Sequence, residues 1–333
     1  MTHELRAPAP AALAAAMPAV FVLIWSTGFV VARLGMPHAP PMRFLAWRFA
    51  LSVLVFMVWV LLSRAAWPRQ RRQWLHLAVT GAFMHAGYLG GVWGAIKLGI
   101  GAGTSALIVG LQPVLTALWV SLFAHQSPVA PAPRGGAVAL GRPGAAATGQ
   151  EHRIAPRQWL GLLLGLLGLV LVVWHKLGHG EITAANLGLS LLALLSITVG
   201  TLYQKRFVAP CDVRTANTVQ LAAAFVVVLP FALLEAEAVR TAPALLAAMA
   251  WSVLALSLGG SSLLYLLVQR GAATRVASLM YLVPPCTALL AWLLFDELLT
   301  PLVLLGLALT ALGVGLVVRD SAARAAAPKE IEA

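Results

Sequence analysis

Residues Leu282–Leu299 read LVPPCTALLAWLLFDELL: two prolines open an apolar run that closes on Asp296 and Glu297. This stretch decides the fold because it recurs. Ser278–Phe295 (SLMYLVPPCTALLAWLLF) aligns with Ala106–Phe123 (ALIVGLQPVLTALWVSLF) at an offset of 172, Pro285 falling on Pro113 and Phe295 on Phe123. The same offset pairs Gly271 with Gly99, Gln269 with Lys97 and Gln220 with Arg48. Later the offset drops to 145, where 300–318 (TPLVLLGLALTALGVGLVV) aligns with 155–173 (APRQWLGLLLGLLGLVLVV), Gly306 on Gly161 and Gly313 on Gly168. The 27-residue difference is the size of an insertion within 125–157. The chain is two related halves.

What each half contains follows from composition. Of 333 residues 60% are hydrophobic and 10% charged, against about half and a quarter in soluble domains. Continuous apolar runs near the bilayer-spanning length of about 18–20 residues recur throughout, which predicts an all-α membrane protein; barrel strands would alternate apolar and polar instead. Ten spans are predicted at 14–34, 41–63, 74–96, 102–124, 158–176, 186–207, 213–234, 244–267, 276–296 and 299–318. Seventeen basic residues fall on one side of this alternation, and Arg33, Arg43, Lys97, Lys176 and Arg240 on the other, with Arg48 inside a span. The excess of Lys and Arg on cytoplasmic loops then predicts both termini in the cytoplasm of a bacterial inner membrane. Five spans per half is an odd number, so the two halves enter the membrane from opposite sides. Inverted repeats are a signature of transporters, with the substrate site between the halves near mid-membrane.

The net charge of +12 could suggest nucleic acid, but the cations sit between apolar runs rather than on one soluble face, so no nucleic-acid partner is expected. Cys211 and Cys286 lie at different depths, and no CxxC or Cys/His cluster exists; neither a disulfide, a metal site nor a cofactor is predicted. The N-terminal apolar run continues to about Val31, too long for a signal peptide, and reads as an uncleaved first span. Residues 125–157 are rich in Pro, Gly and Ala without a periodic apolar face, which predicts a flexible cytoplasmic linker.

The segments LIWSTGFVVARLG (23–35), RFLAWRFALSVLVF (43–56) and VPPCTALLAWLLFDELLTPLVLLGLALTALGVGLVV (283–318) resemble the EamA repeats of the drug/metabolite transporter superfamily. The resemblance covers most of the chain and implies a first repeat over 13–124 and 158–176, a second over 185–319, and a cytoplasmic tail over 320–333. It implies a ten-helix carrier of small metabolites, its cavity lined mainly by helices 1, 3, 4, 6, 8 and 9. Asp296-Glu297 stands where the family pattern has a "GE"-like turn, whereas the first half has Ala124-His125 there. The family pattern also has an arginine at the position of Arg48.

Several side chains stand out as candidates. Arg48 lies some seven residues inside a span; a charge there is functional by default unless it snorkels, and a structural or gating anchor fits equally. His85 is the one deep side chain that titrates near neutrality, a proton-coupling candidate or else a neutral histidine bonded within the bundle. Trp25, Ser26, Tyr88, Gln112, Tyr265 and Tyr281 are candidate substrate contacts; core packing is the plainer reading of each. Pro113, Pro284 and Pro285 remove backbone donors and predict kinked walls in helices 4 and 9. Glu297 is expected to cap the start of helix 10. Gly87/Gly91 and Gly90/Gly94 are GxxxG pairs that let helix 3 approach a neighbour.

These features predict a secondary transporter exporting small amphipathic metabolites, such as amino acids, by alternating access. Its partners are substrate and lipid; a homodimer stays open. A sugar-phosphate or nucleotide-sugar carrier is the alternative, with Lys97 and Arg48 its only cations. An intramembrane enzyme is less favoured, for lack of a convergent catalytic constellation.

Overall fold

The computed structural model describes residues 11–123, 156–177, 181–261, 263 and 280–326, and every regular element among them is helical. The helices are α1 (Ala11–Gly35), α2 (Pro41–Ser63), α3 (Arg71–Gly81, a π-helical stretch Ala82–Gly87, then Tyr88–Lys97), α4 (Ala102–Val109 and Gln112–Phe123, broken between) and α5 (Pro156–Leu177). They continue as α6 (Ala184–Phe207), α7 (Val213–Leu234), α8 (Pro243–Trp251 and π-helical Ser252–Gly260), α9 (Val283–Phe295, entered through a 3-10 turn Met280–Leu282) and α10 (Pro301–Ala326). Five stretches are each long and apolar enough to cross a bilayer: Pro41–Ser63, Trp159–Lys176, Ala184–Phe207, Val213–Leu234 and Pro243–Gly260. Leucines and valines on their outer faces, such as Leu62, Leu234, Val226 and Leu163, are exposed, as lipid-facing positions should be.

The expected linker lies outside the described residues except for its last two, which open α5. The expected tail is helical through Ala326; SAARAA continues α10 because alanine and arginine are among the best helix formers.

The 172-residue offset holds at the level of structure. Shifted by it, Ala11–Gly35 coincides with α6, Pro41–Ser63 with α7 and the start of Arg71–Gly81 with Pro243 of α8. The π-helical stretch of α3 falls within that of α8 and the break in α4 lands on the entry to α9. Packing between the halves follows the same relation. α1 packs on α8 and α9 as α6 packs on α3 and α4; α2 packs on α8 as α7 packs on α3; and α2·α7, α4·α9 and α5·α10 are each a helix meeting its own counterpart. A two-fold relation between the halves produces this pattern.

Close approach rests on small residues, as lipid offers little hydrophobic drive to hold helices together. A side chain at Gly91 would meet Leu189 O at 2.6 Å and Ala193 Cβ at 2.9 Å, and one at Gly87 would meet Ser196 Oγ. The GxxxG pair Gly87/Gly91 therefore seats α3 on α6. Gly103 lies against Ala288 of α9 in the same way.

The ends of the helices are specified locally. Thr183 and Asn186 form a reciprocal capping box on α6: Asn186 N donates to Thr183 Oγ1 at 3.2 Å and Thr183 N to Asn186 Oδ1 at 2.9 Å. The Asp212 carboxylate accepts from Arg214 N at 2.9 Å and caps α7. Its hydrogen bonds from the Arg214 side chain hold it below its ordinary pKa. α9 stops at Asp296, whose φ of 54° is left-handed. Glycine adopts that conformation freely, whereas a β-carbon there costs about 1 kcal/mol. Asp296→Gly is expected to raise stability by up to about 1 kcal/mol, read as a higher midpoint of thermal unfolding in detergent; an unchanged or lower midpoint would show that the carboxylate has work of its own.

Candidate substrate cavity

A cavity with an empty volume of about 820 Å³, open mouth included, lies between the halves. It is lined by the inner faces of α1, α2 and α3 and of their counterparts α6, α7 and α8. Its walls are themselves repeat mates: Trp25 and Ile197, Phe49 and Leu221, Met84 and Leu256, His85 and Ser257, Leu89 and Ser261 all line it and all differ by 172. The cavity thus sits on the relation that exchanges the halves. The π-helical stretches of α3 and α8 supply Met84 and His85 on one side and Leu256 and Ser257 on the other. Such stretches re-aim side chains and concentrate at functional sites.

Of the residues singled out in the sequence, Trp25, Arg48, His85 and Tyr88 are brought together here. Arg48 is 7% exposed and its guanidinium carbon lies 5.9 Å from the Trp93 ring centroid. Trp93 is itself fixed by stacking on Phe44, centroids 4.4 Å apart. His85 Nε2 pairs with Gln220 Oε1 at 3.3 Å, so the amide oxygen fixes the tautomer that carries hydrogen on Nε2.

The remaining candidates are elsewhere. Ser26 is fully buried, donates to Val22 O at 2.8 Å and receives Thr287 Oγ1 on its carbonyl at 3.2 Å; it ties α1 to α9. Gln112 donates to Thr201 Oγ1 at 2.9 Å and joins α4 to α6. Tyr265 and the side chain of Tyr281 lie outside the described residues.

The prolines do not kink continuous helices. Pro113 follows the first residue of a new helical segment, and Pro284 and Pro285 occupy the first turn of α9, where the missing N–H is not needed. The two breaks face each other, Pro284 Cγ standing 2.7 Å from where a Gly110 side chain would begin. No described residue of α4 or α9 lines the cavity; α2 and α7 take their place. Glu297 caps α4 rather than α10: its Oε1 accepts from Ala102 N at 2.8 Å.

Sequence reading missed Asn217, Ser257 and Ser261 as lining residues. For Ser257 the signal was present, since applying the repeat offset to His85 gives it.

Comparison with known proteins agrees with this architecture. The family model for EamA-like transporters matches residues 12–140 and again 185–319. The chain belongs to the EamA-like transporter family. An uncharacterized transporter of Archaeoglobus fulgidus is 24% identical over 283 residues, covering 84% of this chain and 88% of the relative. The uncharacterized transporter YvbV of Bacillus subtilis is 24% identical over 324 residues, 96% and 95% of the two chains. A probable amino-acid metabolite efflux pump of Salmonella typhimurium is 24% identical over 213 residues, 64% of this chain and 60% of that one. A solved crystal structure superposes with a TM-score of 0.61 at 19% identity over 95% of this chain and 99% of its own, a likeness of fold. As an EamA-like transporter the chain is a multi-pass membrane protein whose partners are lipid and a small-molecule substrate.

Proposed function

We propose that this EamA-like chain is a secondary transporter, not an enzyme, that exports small amphipathic metabolites from the cytoplasm by alternating access. Ten membrane-spanning helices would form two five-helix repeats of opposite orientation, with both termini in the cytoplasm of a bacterial inner membrane. The observation that carries the reading is the cavity whose lining is exchanged by the repeat offset: two copies of one packing unit can trade conformations at nearly equal energy and open the same site to either face.

The aromatic and aliphatic walls, with few polar groups, suit an amphipathic solute, and one relative's name as an amino-acid metabolite efflux pump points the same way. The phosphorylated-sugar alternative loses support. Of its two cations, Lys97 lies outside the cavity, paired with Glu237 at 2.6 Å, which leaves Arg48 as the one cation among the described lining residues. Trp25 and Tyr88 would contact the substrate, and His85 is the candidate for proton coupling.

Flux in proteoliposomes tests this. Trp25→Ala and Tyr88→Ala should each lower flux of a transported solute about tenfold, corresponding to roughly 1.4 kcal/mol of lost contact, and His85→Ala should abolish acceleration by a pH gradient. Wild-type liposomes that pass no amphipathic metabolite faster than protein-free ones would overturn the reading.

A further inference from the structure

We propose that Arg48 receives a carboxylate of the substrate and that the cavity prefers amphipathic carboxylates without a free ammonium group, such as aryl-alkanoates or N-acylated amino acids, over zwitterions; this rests on the cavity being the transport site.

The inference starts from a cation without a counter-charge. Arg48 is more than nine-tenths buried, its Nε has no hydrogen-bond partner, and it faces the cavity. No carboxylate is among the cavity's described lining residues. Keeping a charge inside a membrane protein costs several kcal/mol unless something compensates it. Stacking over Trp93 offsets part of that cost and holds the guanidinium in one plane. A planar fork of N–H donors held this way matches a carboxylate's two oxygens.

The repeat relation sharpens the argument. Arg48's counterpart is Gln220, a neutral amide engaged with His85. Among the described lining residues the cavity therefore has one guanidinium, on the first-half wall, while Ile197, Leu221 and Leu256 opposite are apolar. An acidic head at Arg48 with an apolar body against those leucines satisfies both walls. A free ammonium would lose its hydration with no carboxylate to replace it and would be repelled by Arg48. Among the described lining residues a phosphate dianion would find one cation where its charge calls for two.

The test compares ligands of one aromatic body and different charge. Full-length protein in nanodiscs is titrated with 3-phenylpropionate, phenylalanine, phenethylamine and phenyl phosphate, read by calorimetry and by fluorescence of the cavity tryptophans. 3-Phenylpropionate should bind at least tenfold tighter than phenylalanine, with phenethylamine and phenyl phosphate weaker still. Arg48→Gln should remove that preference, and Arg48→Lys, which keeps the charge but not the fork, should retain only part of it. The wild-type series decides the matter even if neither variant folds. Phenylalanine, phenethylamine or phenyl phosphate binding as tightly as 3-phenylpropionate, or none of the four binding, overturns the proposal. Flux separates it from the transport reading: carriage of phenylalanine and 3-phenylpropionate alike sinks the carboxylate preference alone, whereas selective binding without flux sinks transport and leaves the anion site.

Discussion

Gly168→Leu should strip α10 from α5 and lower stability by about 3 kcal/mol, the upper end of what overpacking a filled contact costs. The reason is that backbone, not a movable side chain, stands opposite. A side chain at Gly168 would run into Gly306 O, with Thr310 Oγ1 at 2.5 Å and Thr310 N at 2.8 Å. At Gly313 it would meet Gly161 O and Gly165 N, both at 2.5 Å. These glycines are repeat mates or their neighbours, so each helix presents the same small-residue groove to the other and the backbones come into direct contact. Thr310 Oγ1 also donates to Gly165 O at 3.5 Å across the seam. The control lies on the facing helix, α10: Gly315 has nothing within 4 Å of its added β-carbon, so Gly315→Ala should be neutral or stabilising by up to about 1 kcal/mol, the helix-propensity gain. Thermal unfolding of the two variants in detergent, followed by loss of the monodisperse elution peak, reads both effects. Equal midpoints for Gly168→Leu and wild type would mean that α5 and α10 are not packed this way.

How much of this was legible beforehand depended on what kind of information each feature carries. Pro113 with Pro285 and Gly161 with Gly306 revealed the repeat, because a duplicated packing unit keeps its helix breaks and close contacts at fixed spacing. The lengths of α2, α6 and α7 were readable because a bilayer demands a long apolar run. Arg48 and His85 were readable as site candidates because a charge or a titratable ring in an apolar run needs a reason. Ser26 and Gln112 were not separable from cavity residues, since which face of a buried helix looks inward is settled by its neighbours. When every face is apolar, no hydrophobic stripe marks it. The π-helical stretches were invisible for a related reason: AFMHAG and SVLALSLGG carry no proline, and only packing against α6 and α7, or α1 and α2, makes the wider turn favourable. Glu297 was read against the helix beside it in sequence, yet it reaches α4, 195 residues away, a contact that only the two-fold arrangement brings about.

In the orientation proposed above, Glu235→Ala combined with Glu297→Ala should open the cavity toward the periplasm. Both carboxylates belong to the second half and cap helices of the first: Glu235 accepts from Met42 N at 3.0 Å and Arg43 N at 2.8 Å at the start of α2, and Glu297 accepts from Ala102 N at the start of α4. Arg43 returns the contact, donating to the carbonyls of Glu235 and Glu237, and Lys97 pairs with Glu237 at 2.6 Å. All of these lie on the face poor in Lys and Arg. Their repeat counterparts, Ser63, Ala65 and His125, are not acidic, so the repeat does not copy these carboxylate fasteners to the opposite face. On the opposite face the described hydrogen bonds between the halves involve no carboxylate: Gln73 exchanges two bonds with the Ala209 backbone, at 2.7 and 3.2 Å, and His76 pairs with Tyr203 at 2.8 Å. A carboxylate on free helix N–H groups contributes about 0.5–2 kcal/mol. If rocking apart breaks both caps, removing them shifts the equilibrium by about 1–4 kcal/mol, roughly 5- to 700-fold. A cysteine placed at Leu256 in a background lacking Cys211 and Cys286 reports this shift: labelling by an impermeant maleimide added outside intact cells should accelerate by that factor in the double variant. Unchanged labelling of a folded double variant would show that these caps persist in both states and do not set which way the cavity faces.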